Sequence, residues 1–364
     1  MPDFAEYRRR FTWPFGLWIF NRLLLVLTAW LSLSFLPARE APELWHAYPG
    51  NNLLNGWLRW DSGWYLTIAR DGYAAPADVV PGRQRNTAFF PLYPLLTRGV
   101  SRILHDNFAA GLVVSNVAFL LALLILYESV RETRGEEVAR KTASLLLFHP
   151  CSFFFSAMYT ESLFLMLAVL ALRAARREHW LAAGLWAALA GGTRVVGVLL
   201  VAALAVGYME SVNYSFKRIR ASSLWILLGL LGPLAYMGFL AHRYGNPFEF
   251  AAAQDAAGWT AGMGFLPRGP MDFFQLIVLA VCVILAVRAW RSESRAEAAW
   301  ATLMLVVSCT RWPSMSRLSL VIYPLYVAAA QWLRNAKVFA IAVIVSALML
   351  LALTARFALW YWVA

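Results

Sequence analysis

The sequence has 364 residues, of which 61% are hydrophobic and 14% are charged, and its mean hydropathy is +0.58. Soluble domains carry about 25% charged residues, so this composition excludes a soluble protein and indicates an integral membrane protein. The net charge of +12 lies in short clusters between apolar runs. A nucleic-acid-binding module would instead need one contiguous basic face, so that class is also excluded.

Apolar runs recur along the whole chain, and eleven of them are predicted as transmembrane helices. They cover residues 15–36, 108–130, 142–157, 162–177, 180–191, 195–209, 223–242, 273–290, 299–309, 318–333 and 338–360. A helix needs about 20 residues to cross the hydrocarbon layer, so the shorter runs are expected to be paired, tilted, longer than predicted or turned toward a protein-lined cavity. The first run lacks a small-residue cleavage site and is expected to remain as a span. We therefore predict one polytopic all-α membrane domain over residues 1–364.

The basic residues predict the orientation of these helices. With a cytoplasmic N-terminus, most of the 32 lysines and arginines, including all three lysines, lie in the loops on the inner side. This distribution follows the positive-inside rule. The protein is therefore expected in the cytoplasmic (inner) membrane, with its longest loop, residues 37–107, on the extracytoplasmic face.

Two helices are predicted within that first outer loop. Trp57, Trp60, Trp64 and Ile68 recur at helical spacing, which indicates a helix in the headgroup layer with its aromatic edge in lipid. Residues 88–104 are apolar but contain two prolines. A full span there would place the lysines outside, so this segment is predicted as a second juxtamembrane or re-entrant element.

Asp61 is the first candidate for chemistry. It could cap the helix from Ser62 to about Arg70, which Gly72 would end, because aspartate is a favoured N-cap residue. Alternatively, a carboxylate beside tryptophans at the rim of an apolar bundle is partly desolvated, which raises its affinity for protons and suits a general base. Both interpretations are compatible with the sequence.

Four ordered motifs extend this second interpretation. RWDSGWYLTIARDGY (59–73), NTAFFPLYPLL (86–96), FFFSAMYTESLFLMLAVLAL (153–172) and GGTRVVG (191–197) resemble the PIG-V family of mannosyltransferases. The resemblance covers about residues 15–210. Residues 211–364 are predicted as variable C-terminal helices, and their main match to the family is RLSLVIYPLY (317–326). The family adds the second mannose in eukaryotic GPI-anchor synthesis and has bacterial relatives. The arginine-rich, lysine-poor composition here is compatible with a bacterial member.

The resemblance implies a GT-C-type bundle and a defined reaction. A sugar, mannose in this family, would move from a polyprenyl-phosphate or dolichyl-phosphate carrier to an acceptor at the extracytoplasmic face. Asp61 would be the general base, and the configuration of the sugar would invert. The acceptor is left open as a glycolipid, a glycan or a protein.

Further site residues are predicted near these motifs. Glu161 could merely favour the N-terminus of the helix from residue 162, but the resemblance implies a second acid there that contacts the acceptor or a metal. Arg194, Arg317, Arg311 and Arg59 are candidates for the donor phosphate, because a guanidinium can donate to two phosphate oxygens at once. The aromatic candidates for contact with sugar or acceptor are Trp60, Trp64, Tyr65 and Tyr159.

No cofactor is firmly predicted. A divalent metal shared by the two acids is compatible with the sequence but is not required, and the isolated His149 and the three cysteines show no ligand spacing. No GxxxxGK[ST] motif or strand-preceded GxGxxG motif occurs, which disfavours a nucleotide-sugar donor. Two alternatives remain, a flippase or transporter of lipid-linked sugar and an inactive scaffold subunit.

Overall fold

The computed structural model describes residues 4–39, 46–48, 50–78, 83–256 and 269–363. Within these ranges the chain forms sixteen α-helices, several short 3-10 turns and no strand. The helices are α1 (Phe4–Phe35), α2 (Asn52–Asn55), α3 (Ser62–Asp71), α4 (Leu92–Leu104), α5 (Asn107–Arg134), α6 (Glu136–Leu147), α7 (Glu161–Arg176), α8 (Trp180–Thr193), α9 (Leu199–Ser211), α10 (Leu231–Tyr244), α11 (Glu249–Ala256), α12 (Pro270–Ser292), α13 (Arg295–Cys309), α14 (Met315–Leu318), α15 (Tyr323–Trp332) and α16 (Ala336–Ala358). Parts of the first outer loop, residues 40–45, 49 and 79–82, lie outside the described residues.

Among the described residues, five helical segments are long and apolar enough to cross a membrane. They are Arg10–Phe35, Asn107–Arg134, Ala221–Tyr244, Pro270–Ser292 and Ala336–Ala358. Shorter apolar helices complete the bundle, and α7 is buried along most of its length. The prediction of a multi-pass all-helical membrane protein is confirmed, whereas the count of eleven spans stays a prediction.

The predicted span 142–157 is not one helix. Helix α6 ends at Leu147, and the chain then forms turns and a 3-10 segment, Ser152–Phe155, before α7 begins. Pro150 explains the break, because proline lacks the backbone N–H and disfavours helical conformation in the residue before it. The Asn116 amide donates to the Ser156 carbonyl at 3.3 Å. Protein side chains thus satisfy this irregular backbone, as the membrane interior requires.

The two helices of the first outer loop are present, but one packs differently from the prediction. Helix α4 is amphipathic, with Leu95 and Ile103 exposed, as a juxtamembrane element should be. The edge of α3 was predicted to lie in lipid, and this prediction is wrong, since Trp57 and Ile68 are buried in the protein core. Helical spacing identifies the apolar edge of a helix, but it does not show whether that edge contacts lipid or packs against other parts of the protein.

Glycines allow α8 to pack closely against α10 and against the 3-10 segment Ala221–Leu230 that precedes it. A Cβ atom at Gly232 would overlap the carbonyl oxygen of Ala188, and one at Gly184 would overlap the carbonyl oxygen of Trp225. Small residues allow membrane helices to approach to backbone contact, where dispersion forces and weak hydrogen bonds act. This contact fixes the end of α8, where Arg194 follows.

A buried polar cluster holds the other end of α7. Glu297 near the start of α13 accepts a hydrogen bond from the Tyr323 hydroxyl at 2.7 Å and pairs with Arg176. The cluster joins α7, α13 and α15. Because α7 begins at Glu161 and ends at Arg176, the cluster fixes the direction in which α7 presents Glu161.

Candidate active site

A cleft of about 850 Å³ opens between the long first loop (residues 37–107), the residues after α8, the residues after α13 and the residues after α16. Asp61, Arg194, Arg311 and Arg317 provide charged groups to its lining. The structure therefore brings together, from three distant parts of the sequence, four of the six charged residues predicted for the site.

Asp61 faces this cleft instead of capping α3. It stands at the N-cap position, yet in the described part of the chain its carboxylate accepts no capping hydrogen bond. Its Oδ2 lies 2.8 Å from Nη2 of Arg317. The preceding residue, Trp60, has φ of +52°, a left-handed conformation that is unfavourable for a bulky side chain. Such strain persists only where surrounding contacts impose it, and here it turns the backbone so that both side chains reach the cleft.

Arg317 connects the two predicted acids. Its Nε donates to Oε1 of Glu161 at 2.8 Å while Nη2 pairs with Asp61. The guanidinium plane also lies over the rings of Phe154 and Tyr159, each centroid 4.8 Å away. A planar group with several donors in a fixed fork can make these contacts simultaneously, which lysine cannot.

Glu161 lies beneath the arginines. It is the first residue of α7 and is completely buried, and its Oε1 also accepts from Nη1 of Arg194 at 2.9 Å. Its other carboxylate oxygen, Oε2, has no hydrogen-bond partner among the described residues. A buried carboxylate is costly unless cations compensate it, and here two arginines and the N-terminus of α7 do so.

Arg194 and Arg311 complete the basic part of the cleft. Arg194 follows α8 with an extended backbone, and Arg311 donates to Oε1 of Gln254 at 2.9 Å. Burial lowers the pKa of Arg311, and the nearby Arg194 and Arg317 lower it further, although acids oppose the effect. Arg194 and Arg317 therefore act electrostatically on Arg311, although each of them is itself paired with an acid.

Arg59 does not join this group. It was predicted at the donor phosphate, but its side chain is 5% exposed and lies away from the cleft lining. Its Nε and Nη2 donate to the carbonyl oxygen of Ala358 at 3.1 and 2.9 Å. The turn at Trp60 explains the difference, since residues on either side of it point to different parts of the protein.

Three of the four predicted aromatic residues, Trp60, Trp64 and Tyr65, line the cleft. Burial raises the pKa of Tyr65, and the nearby carboxylates of Asp61 and Glu161 raise it further. Its phenol therefore stays neutral. The fourth, Tyr159, lies behind the cleft, where its hydroxyl donates to the backbone carbonyl of Arg59 at 2.9 Å.

Four aromatic residues of the cleft were not predicted, namely Phe89, Phe90 and the two tryptophans Trp360 and Trp362. Trp360 stacks on Trp60 with ring centroids 5.0 Å apart and an angle of 4° between the rings. Trp362 meets Trp60 edge-on, also with centroids 5.0 Å apart. The sequence signal for both tryptophans is the aromatic run LWYW directly after the last long apolar segment.

Comparison with solved structures defines the class of protein. ArnT from Cupriavidus metallidurans bound to undecaprenyl phosphate superposes with a TM-score of 0.57 at 14% identity, covering 91% of this chain and 62% of that chain. Its apo form gives a TM-score of 0.51 at 13% identity, covering 88% and 60%. The fold is that of a polytopic membrane protein of the GT-C type.

The chain belongs to the Mannosyltransferase (PIG-V) family. The family model matches residues 22–228, which are more than half of this chain. GPI alpha-1,6-mannosyltransferase 2 of Mus musculus is 30% identical over 177 residues, which are 46% of this chain and 34% of that protein. The Cricetulus griseus protein of the same name is 32% identical over 179 residues, 46% and 35% of the two chains. The match therefore spans about a third of these relatives.

Proposed function

We propose that the protein is a membrane glycosyltransferase that moves mannose from a polyprenyl-phosphate carrier to an acceptor at the extracytoplasmic face of the cytoplasmic membrane. One observation carries this proposal. In a chain of the PIG-V family, a carboxylate and three arginines face one cleft, which gives a base and an anion site within the same space.

The donor would place its phosphate among Arg194, Arg311 and Arg317. These groups supply charge-assisted donors for the phosphate oxygens. An aliphatic part of the cleft lining, which includes Val196, Met304 and Val307, offers a surface for an isoprenoid tail. The neighbour solved with undecaprenyl phosphate supports a lipid-phosphate donor, and the relatives named as mannosyltransferases support mannose.

Asp61 would act as the general base. Its carboxylate takes the proton of an acceptor hydroxyl while the hydroxyl oxygen attacks the anomeric carbon of the donor sugar. The bond from that carbon to the phosphate oxygen breaks, polyprenyl phosphate leaves, and the configuration inverts. Positioned proton transfer of this kind contributes about 10² to 10⁴-fold to the rate.

Glu161 would act through the arginines. Because its Oε1 holds both Arg194 and Arg317 from below, it fixes the two guanidinium groups that receive the phosphate. In this proposal Glu161 is a positioning residue, and neither acid requires a shared metal ion, since Arg317 lies between them.

A transfer assay tests the proposal. The purified protein is reconstituted in liposomes with membrane glycolipid extract and either polyprenyl-phosphate mannose or GDP-mannose, each with a radiolabelled sugar. We expect label in product from the lipid donor alone. Transfer from GDP-mannose would contradict the proposal. Movement of the lipid donor between leaflets without transfer would favour a flippase, and the absence of both activities would favour a scaffold subunit.

A further inference from the structure

Residues 359–362 fold back onto the first outer loop beside the cleft. Arg59 holds the end of α16 through the Ala358 carbonyl, and its guanidinium lies 5.1 Å from the ring centroid of Trp360. The backbone N–H of Arg39 donates to the Leu359 carbonyl at 3.1 Å. The segment is therefore anchored to the same loop that carries Asp61.

Both stacked tryptophans have a strained backbone. Trp60 has φ of +52° and Trp360 has φ of +68°. For bulky residues this left-handed region costs of order 1–3 kcal/mol each. Two independent chain segments thus adopt an unfavourable conformation at the place where their indole rings meet. Packing in a core does not require this, so the strained pair points to a purpose for the more exposed Trp362, whose ring meets Trp60 edge-on.

The three indoles form one aromatic surface of the cleft, here named the tryptophan wall (Trp60, Trp360 and Trp362). All three belong to the cleft lining, but Trp360 is only 9% exposed and Trp60 is half-buried, so most of the accessible ring surface comes from Trp362, which is 49% exposed. An indole combines a large, flat, apolar face with an N–H donor at its edge. A pyranose ring presents the matching surface, an apolar face of C–H groups bordered by hydroxyls.

We propose that the tryptophan wall binds a pyranose ring of the acceptor and thereby presents one of its hydroxyls to Asp61. This inference rests on the proposed function and deepens it, since it assigns the acceptor a carbohydrate surface and a place in the cleft. Trp60 precedes Asp61 directly, so a sugar on the wall lies beside the base. The arginines that would receive the donor phosphate come from the residues after α8 and after α13, not from the segments that carry the wall.

An interfacial role for Trp362 is the competing explanation, because tryptophans are enriched at both membrane surfaces. The chain offers a matched control. Trp30 on α1 is also 49% exposed, but it does not belong to the cleft lining. A pure membrane anchor at residue 362 should respond to substitution as Trp30 does, whereas a sugar-binding surface should not.

Direct binding tests the wall without any need for turnover. The full chain is labelled with 5-fluorotryptophan in nanodiscs, and the ¹⁹F resonances of residues 362 and 30 are assigned with Trp362→Phe and Trp30→Phe. We expect methyl α-D-mannopyranoside to shift the Trp362 signal and leave the Trp30 signal unchanged, and undecaprenyl phosphate alone to leave Trp362 unchanged. The proposal is overturned if the mannoside does not shift the Trp362 resonance, or if undecaprenyl phosphate alone shifts it.

Kinetics provide the second readout. In the liposome assay, Trp362→Ala should raise the KM for the acceptor about tenfold, the size of one lost aromatic contact, and leave the KM for the donor unchanged. Trp362→Phe should restore most of this loss, and Trp30→Ala should alter neither constant. An equal rise in both KM values would contradict the assignment. If the wild-type protein binds the mannoside but transfers no sugar, the proposed function fails while the sugar-binding wall stands.

Discussion

Arg317 and Asp61 form an ion pair inside the cleft, with 2.8 Å between Nη2 and Oδ2. The pair joins a residue of the family-matched region 22–228 to one that lies beyond it. A donor phosphate placed near Arg317 would compete with Asp61 for the guanidinium. Binding of the donor would then release the carboxylate for proton transfer when an electrophile is present.

Asp61→Asn should abolish transfer and leave the fold intact. The amide cannot accept the acceptor proton, so we expect a loss of about 10² to 10⁴-fold in kcat. The side chain is 19% exposed, and its amide can still accept from Arg317. Asp71→Asn on the same helix is the control, since that carboxylate is 57% exposed and pairs with the exposed Arg70. Comparable turnover of the two variants would remove Asp61 from the mechanism.

Arg194→Ala should weaken donor use, and it should also lower the unfolding midpoint, because it removes a cationic partner of the buried Glu161. A hydrogen bond to a charged group contributes roughly 1.5–3 kcal/mol, so the KM for the lipid donor should rise about tenfold to a hundredfold, with a smaller fall in kcat. Arg194→Lys should recover part of the loss, because it keeps the charge but not the fork of donors. The exposed Arg102→Ala variant should behave like the wild type. A donor KM that stays constant in Arg194→Ala would refute a phosphate contact.

Glu161→Gln should destabilise the protein, unlike Asp61→Asn. Removing one member of a buried charge network leaves the others uncompensated, at a cost of roughly 3–5 kcal/mol. Thermal unfolding in detergent should therefore show a clearly lower midpoint, together with lower activity because Arg194 and Arg317 lose their common acceptor. Glu137→Gln, at a side chain that is 79% exposed, should unfold at the wild-type temperature. Equal midpoints for both variants would show that the ion pairs of Glu161 with Arg194 and Arg317 do not stabilise the fold.

Gly232→Ala should separate α10 from α8. The added methyl group would meet the Ala188 carbonyl, and overpacking of this kind costs about 1–3 kcal/mol. Gly238→Ala on the same helix is the matched control, because its Cβ would have no neighbour within 4 Å among the described residues. We expect a lower unfolding midpoint for the first variant only. Since α8 leads into Arg194, donor affinity should fall with it.

Cysteine labelling tests the orientation of the site. Ala75 and Ala221 are both exposed, the first in the long first loop and the second in a predicted inner loop. In a Cys309→Ala background, a membrane-impermeant maleimide should label Ala75→Cys in intact cells. Ala221→Cys should react only after permeabilisation. The reverse pattern would place the cleft on the cytoplasmic side.

The sequence was most informative where function depends on local motifs. Asp61 and Arg194 each occur beside a recognisable break in an apolar run, and both were predicted to lie at the site. Arg59 was misplaced because its partners, the Ala358 carbonyl and the ring of Trp360, lie about 300 positions away, which no local pattern encodes. Helical spacing likewise identified the apolar edge of α3 but not its burial by the protein.

The anchoring of residues 359–362 by Arg59 has a consequence for biogenesis. The ribosome synthesises Asp61 long before the tryptophans that complete its surroundings. During membrane insertion the nascent chain therefore carries Asp61 without a finished cleft. The cleft is complete only when α16 has packed beside α1 and brought residues 359–362 to it, so under the proposed function a chain that stalls during insertion is an inert polypeptide.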